Sequence, residues 1–373
     1  KKGIYKMKKT LFILALAALV LISAGCQKKK PEDIIIEAQM KIRRGDFIGA
    51  RIDLKELIKK HPDDPAIPQA RFFLSQCYYY ENDFPQVREQ LAEVYKNLGL
   101  ANPMGRDSFK IILSTYRAEK NYQDGIKEAE NLVKSLPPDD VFGYEINCMI
   151  SDLLIDDKKT SEAVAHLENL IPIGKNHEMR LIALERLIAI HATEKNYDAA
   201  IKAYEDYNEK FGDDKIRDNL LAGQAFFYQE KGDSEKAKEL FAKSVEGYKT
   251  LIENTLDKTE KADWTFRMGR TYEIQKDYDS AQKTYQDIIE QYGDTPLKQV
   301  AQLALADLYY TQGQKEKTLE YLQGLLKENP QDMDFVNMLR NRVMALMREK
   351  AREGATTDSL QQSPDVAEQP SGK

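Results

Sequence analysis

Asn196-Tyr197-Asp198-Ala199-Ala200, Gly232-Asp233-Ser234-Glu235-Lys236-Ala237 and Asp277-Tyr278-Asp279-Ser280-Ala281 are three spellings of one signal: a polar turn, then a small residue one helical turn later. Working outward, the signal recurs as Gly45-Asp46-Phe47-x-x-Ala50, Asn82-Asp83-Phe84-x-x-Val87, Asn121-Tyr122-x-x-Gly125, Thr160-x-x-Ala163 and Gly313-Gln314-Lys315-x-x-Thr318. Its third element falls at 47, 84, 122, 160, 197, 234, 278 and 315, at intervals of 37, 38, 38, 37, 37, 44 and 37. A fixed period of this length marks a repeat architecture. The 44-residue interval predicts a longer connection around Ile252–Glu260.

Between the turns, apolar residues keep helical spacing from Ile34 to Met347, and no stretch alternates long enough to read as a strand. The chain has 373 residues, 42% hydrophobic and 31% charged, a globular composition. Three cysteines in that length exclude a disulfide-built scaffold. The expected fold is all-α. Each unit is two antiparallel helices with a small residue at the crossing: Ala38, Gly269 and Ala306 on first helices, Ala50, Ala200, Ala237 and Ala281 on second ones. No pair covers its own apolar face, so stacking supplies the core. Asp334–Arg352 reads as an amphipathic cap offering Phe335, Met338, Val343, Leu346 and Met347. Beyond Gly354 periodicity ends, and 355–373 reads as a disordered tail.

The pattern resembles tetratricopeptide repeats, best in Met268-Gly269-Arg270-Thr271-Tyr272 followed by Ala281-x-x-x-Tyr285. Tyr78, Tyr116, Tyr228 and Tyr309 keep the motif tyrosine, and Pro62, Pro137 and Pro330 the closing proline. The resemblance implies a right-handed superhelical solenoid of about eight helix pairs over 33–330, with a capping helix over 331–354. It also implies a partner-binding groove on the first helices. Transferred by register, the candidates are Phe72, Gln76 and Tyr79, then Lys110, Ser114 and Arg117, Cys148, Asp152 and Ile155, and Phe266, Arg270 and Glu273. Phe72, Gln76, Tyr79, Arg117, Asp152 and Arg270 are the expected partner-binding residues. A chaperone-type carboxylate clamp is not expected, because Ser114 stands where that clamp has asparagine.

The N-terminus carries an address. Residues 1–25 hold five lysines and no acid, and the apolar run Leu11–Ile22 is too short to span a bilayer. Basic, apolar and small residues in that order read as an export signal starting at Met7. Ser23-Ala24-Gly25-Cys26 resembles the lipobox of bacterial lipoproteins, which implies cleavage before Cys26 and a diacylglyceryl group on its thiol. Residues 26–32 are then a lipidated tether whose Lys28–Lys30 suit anionic head groups. Gln27, by analogy with enteric bacteria, permits onward export to the outer membrane, facing the periplasm.

Chemistry is sparse. No phosphate-binding glycine motif and no H-E-x-x-H occur, Cys77 and Cys148 read as small buried hydrophobes, and no catalytic residue, metal or cofactor is expected. Removing the five signal lysines from a net −6 leaves −11, and with a pI near 5.6 nucleic acid is a poor partner. The expected function is a lipid-anchored envelope scaffold that binds another protein, with repeats similar to those of BamD and the CpoB family. That resemblance points to outer-membrane protein assembly. The alternative is a docking subunit for a cell-wall enzyme or a secretion complex.

Overall fold

The computed structural model describes residues 29–328 and 332–361, with side chains to residue 352. The described residues are all-α. In chain order the helices are α1 (Pro31–Arg43), α2 (Phe47–Lys60), α3 (Ile67–Tyr80), α4 (Phe84–Leu98), α5 (Pro103–Ala118), α6 (Tyr122–Ser135), α7 (Val141–Asp156) and α8 (Thr160–Leu170). A 3-10 turn over Ile171–Ile173 follows α8. Then come α9 (His177–Thr193), α10 (Tyr197–Phe211), α11 (Arg217–Lys231), α12 (Ser234–Asn254), α13 (Lys258–Gln275), α14 (Tyr278–Gln291), α15 (Leu297–Thr311), α16 (Lys315–Lys327) and α17 (Met333–Gln361). Residues 1–28, Cys26 among them, and Pro330 lie outside the described residues.

The second helices of the pairs begin at Phe47, Phe84, Tyr122, Thr160, Tyr197, Ser234, Tyr278 and Lys315, the positions fixed by the sequence register. The turn explains why. Two residues before each start the backbone is left-handed, at Gly45, Asn82, Lys120, Lys158, Lys195, Gly232, Lys276 and Gly313, with φ from 56° to 94°. The next amide reaches back five residues into the first helix, from Asp46 N–H to Lys41 O through Gln314 N–H to Tyr309 O, at 2.8–3.0 Å in every turn. This closure satisfies helix-end carbonyls. Asp46, Asp83, Asn196, Asp233 and Asp277 then cap the following helix, each side chain accepting from an amide three residues on.

One turn into the second helix, Ala50, Ala163, Ala200, Ala237 and Ala281 are at most 2% exposed, which lets paired axes approach closely. At Gly125 a Cβ would stand 2.9 Å from the Tyr116 Cβ, so the crossing there admits only glycine.

Two compact units divide inside α9, one ending at Leu187 and the other beginning at Ile188. In the first, Ile35, Leu54, Leu57, Leu74, Tyr78 and Leu91 join one core through consecutive helices. In the second, Ala281, Tyr285, Leu305 and Tyr309 form one cluster and Leu322, Phe335, Leu339 and Val343 another.

Four expectations change. The 44-residue interval holds no long connection. It is absorbed by helices of 21 and 18 residues, α12 and α13, joined through residues 255–257. The apolar spacing of Leu240, Phe241, Val245 and Tyr248 keeps one buried face running past the point where a repeat of ordinary length would turn. The tether is shorter than expected, because α1 starts at Pro31, where proline is tolerated in the first turn. The capping helix buries Phe335, Val336, Leu339, Val343 and Leu346, whereas Met338 and Met347 are 45% and 52% exposed. Spacings of four, four and three from Phe335 set that face. Finally, α17 continues to Gln361, so residues 355–361 of the expected tail are helical and 362–373 lie outside the described residues.

Candidate functional site

In the first unit, the first helices α3, α5 and α7 carry the candidates. Phe72 is half-buried against the core, and Gln76, about one helical turn on, is half-buried as well. Tyr79 is 42% exposed, its ring 5.5 Å from that of Phe84 in an edge-to-face arrangement. Ser114 donates to its own helix at the Ile111 carbonyl, 2.7 Å away.

The charged candidates are engaged. Arg117 reaches from α5 to Asp156 at the end of α7, with Nη2 3.1 Å from Oδ1 and Nε also paired. Asp156 and Asp152 both hold the guanidinium in its charged form. Asp152 in turn accepts from Arg186 Nε at 3.3 Å, and Lys110 Nζ meets Glu145 at 2.5 Å. Three ion pairs thus run between neighbouring first helices. The register missed Glu145, Asp156 and Arg186, although each lies about one period beyond its partner, the one available signal.

Second helices add staples. Arg88 Nη1 donates to Thr115 Oγ1 at 3.0 Å and to Glu119 at 2.5 Å, with its guanidinium 4.4 Å from the Tyr116 ring centre. Arg51, one period earlier, pairs with Glu81 and lies 6.0 Å from the Tyr78 ring centre. These exposed and half-exposed pairs contribute little each, at most about 1 kcal/mol, but they fix how one pair sits on the next.

The second unit presents a different surface. An open pocket of about 460 Å³ is lined by Ile188, Tyr204, Phe226, Phe227, Ile274 and Tyr278, with Glu273 and Lys276 beside them. Its walls come from α9, α10, α11, α13 and α14. Phe226 and Phe227 meet edge to face at 5.0 Å, and Tyr204 lies 6.2 Å from Phe227. Gly223 makes room for Tyr204, since a Cβ there would come 2.5 Å from the ring.

Arg270, the candidate in this unit, pairs with Glu273 one turn along α13. Burial pushes the Glu273 carboxyl above its ordinary range, while Arg270 and the Tyr285 hydroxyl pull it back. Arg270 therefore acts on the pocket through its rim carboxylate. Of the pocket's residues the register had named only Glu273. The aromatic wall was hidden because Tyr204 and Tyr278 belong to second helices, which it assigns to packing, and Phe226 and Phe227 stand on α11, a first helix where it named no candidate.

Cys77 and Cys148 are free and buried, and burial raises both thiols to about 11. No cluster of three or more His, Cys, Asp or Glu able to hold a metal occurs among the described residues. None of the helices among them is long and apolar enough to cross a membrane.

Residues 266–332 match the tetratricopeptide-repeat family model. No curated protein sequence matches the chain. Among solved structures, a tetratricopeptide repeat protein from Parabacteroides merdae is 14% identical, with 74% of this chain and 98% of that one covered at a TM-score of 0.35. The apo form of RapI is 13% identical, covering 70% and 96% at 0.36. PilF of Pseudomonas aeruginosa is 15% identical, covering 63% and 96% at 0.34. The family match covers the later part of α13 and all of α14 to α16, so that stretch of the second unit carries tetratricopeptide repeats.

Proposed function

We propose that the chain is a lipid-anchored scaffold of the bacterial envelope that binds another protein on its helix-pair repeats, and that it catalyses nothing itself. The observation that carries the binding is the open aromatic pocket of the second unit, a concave apolar surface with one carboxylate and one lysine at its edge. Pockets of that composition bury an aromatic or long aliphatic side chain and leave the rim to orient it. The occupant is a segment of an envelope protein presenting such a side chain. The anchor rests on Ser23-Ala24-Gly25-Cys26 at the end of a short apolar run. The likeness to BamD and CpoB repeats favours a partner in outer-membrane protein assembly.

The test is a photo-crosslinking amino acid at Phe226, compared with the same probe at Tyr79, in the full chain within its native membranes. Recovery of barrel-assembly subunits from the Phe226 probe supports the reading. Recovery of a cell-wall hydrolase or a secretion subunit moves the chain to the alternative, a docking subunit. Products from Tyr79 alone would place the interface on the first unit instead.

A further inference from the structure

The first helix pair is apolar on the outside. Ile36 and Met40 lie one turn apart on α1, 49% and 51% exposed, and Ile48 and Ile52 one turn apart on α2, 61% and 57% exposed. Four large apolar side chains in one hairpin exceed the scatter of single exposed residues that needs no explanation. Lys41 binds the two helices together through Asp53 at 2.6 Å.

The charge around them is reversed relative to the chain. Residues 29–60 carry nine basic and six acidic side chains, whereas the whole chain is at −6. Arg43, Arg44 and Lys59 are exposed. Ile48, Ile52 and Lys59 follow one stripe of α2, at intervals of four and seven. Apolar side chains bordered by exposed cations are what an interfacial helix presents to lipid.

Position gives the occupant. Pro31 opens α1 five residues after Cys26. A fully extended chain of that length spans at most roughly 18 Å.

We infer that this hairpin rests on the membrane, its four apolar side chains entering the interface and Arg43, Arg44 and Lys59 meeting anionic head groups. The inference rests on the lipid-anchor reading for what brings the hairpin there. Each isoleucine or methionine adds apolar burial, and each cation near the surface adds attraction that salt weakens. Such docking fixes which side of the first unit faces lipid, something a flexible tether alone leaves open.

The test uses the full chain on vesicles of phosphatidylethanolamine and phosphatidylglycerol, with an environment-sensitive fluorophore attached at Ile52→Cys. Cys77 and Cys148 are buried and lipid blocks the Cys26 thiol, so the label goes to the introduced thiol; protein found without lipid is relabelled as the Cys26→Ser variant. The same label at Lys127→Cys, an exposed site on α6, serves as the reference. Brominated lipid should quench most of the emission at position 52 and little at 127. Arg43→Glu with Arg44→Glu should restore much of the emission, as should omitting phosphatidylglycerol.

Mass spectrometry of the N-terminal peptide reports the anchor separately. A lipid-bearing protein with unquenched label at 52 overturns the docking and leaves the anchor standing. Quenching at 52 without lipid on Cys26 keeps the docking surface and overturns the anchor. Neither lipid nor quenching removes both.

Discussion

The first-helix face of the N-terminal unit and the pocket of the C-terminal unit are built on the same turn and the same register, yet their side chains act differently. Lys110, Arg117 and Asp152 are paired with Glu145, Asp156 and Arg186 on neighbouring helices, so the charge of that face is satisfied within the fold. Tyr204, Phe226, Ile274 and Tyr278 leave an apolar pocket open. A repeat position therefore does not determine a role. A charged side chain whose complement stands one period away becomes a staple, and an aromatic one beside a glycine becomes a wall.

The comparison breaks most visibly at a helix crossing. Ala281 is fully buried, so Ala281→Arg forces a long charged side chain between α13 and α14 and should cost about 3–5 kcal/mol. Hydrogen exchange should show α12 to α16 losing protection while α1 to α6 keep theirs, because coupling in stacked repeats is local. Equal loss in both units would end the description of the chain as semi-independent stacks.

Next comes the pocket. Tyr204→Ala with Phe226→Ala should weaken partner binding more than tenfold, or more than about 1.4 kcal/mol. Arg117→Ala should leave binding unchanged and instead lower the urea midpoint slightly, since what it loses is Asp156. The reverse ranking in a pull-down with quantified affinities would return the interface to the first unit.

Asp218 sharpens the contrast by pH. It is 6% exposed, close against Gly247 and beside Tyr248, with Asp214 adding repulsion and Arg217 offsetting it. Burial raises its carboxyl from 3.8 to about 6. The folded state thus holds the proton more tightly than the unfolded chain does. Stability contributed by this group is full below about 4, declines as pH rises toward 6 and stays low above it. Asp218→Asn should raise stability at pH 7 by about 1–2 kcal/mol and flatten that decline in urea melts followed across the window. An unchanged slope would mean that water reaches the carboxylate.

The smallest effects belong to the turns. Lys120 holds φ at 60°, a conformation that glycine adopts without strain, and Lys120→Gly should stabilise the first unit by about 0.5–1 kcal/mol. Gly232→Ala should cost a similar amount in the second unit, although a Cβ there meets no atom within 4 Å. Matched shifts of opposite sign in thermal melts would attribute both to backbone conformation alone.

The helix starts were legible because the turn is a local object. A left-handed residue, a backbone closure and a capping side chain all fall within six residues, so Gly232-Asp233-Ser234 announces its helix unaided. The ion-pair ladder was less legible, because Arg117 and Asp156 are brought together only by stacking. The length of α12 was misread for a related reason. A wide interval between two turns says that residues were added but not whether they extend a helix or a loop, and the buried face through Tyr248 decides it. The pocket was least legible of all, since its walls come from five helices and its depth depends on Gly223.

The shared closure of the turns has a consequence for how such a chain can change its length. Asp83 and Asn121 occupy the same place in successive turns, each following a left-handed residue and each donating its amide five residues back. Excising residues 84–121 would join Asp83 directly to Tyr122 and rebuild the same turn from its own first half. A recombination that removes or duplicates one period leaves every backbone junction intact and asks only that the side chains of the new neighbours fit. Growth and loss by whole helix pairs is thus the easy path for this gene, and a shift by part of a period the hard one.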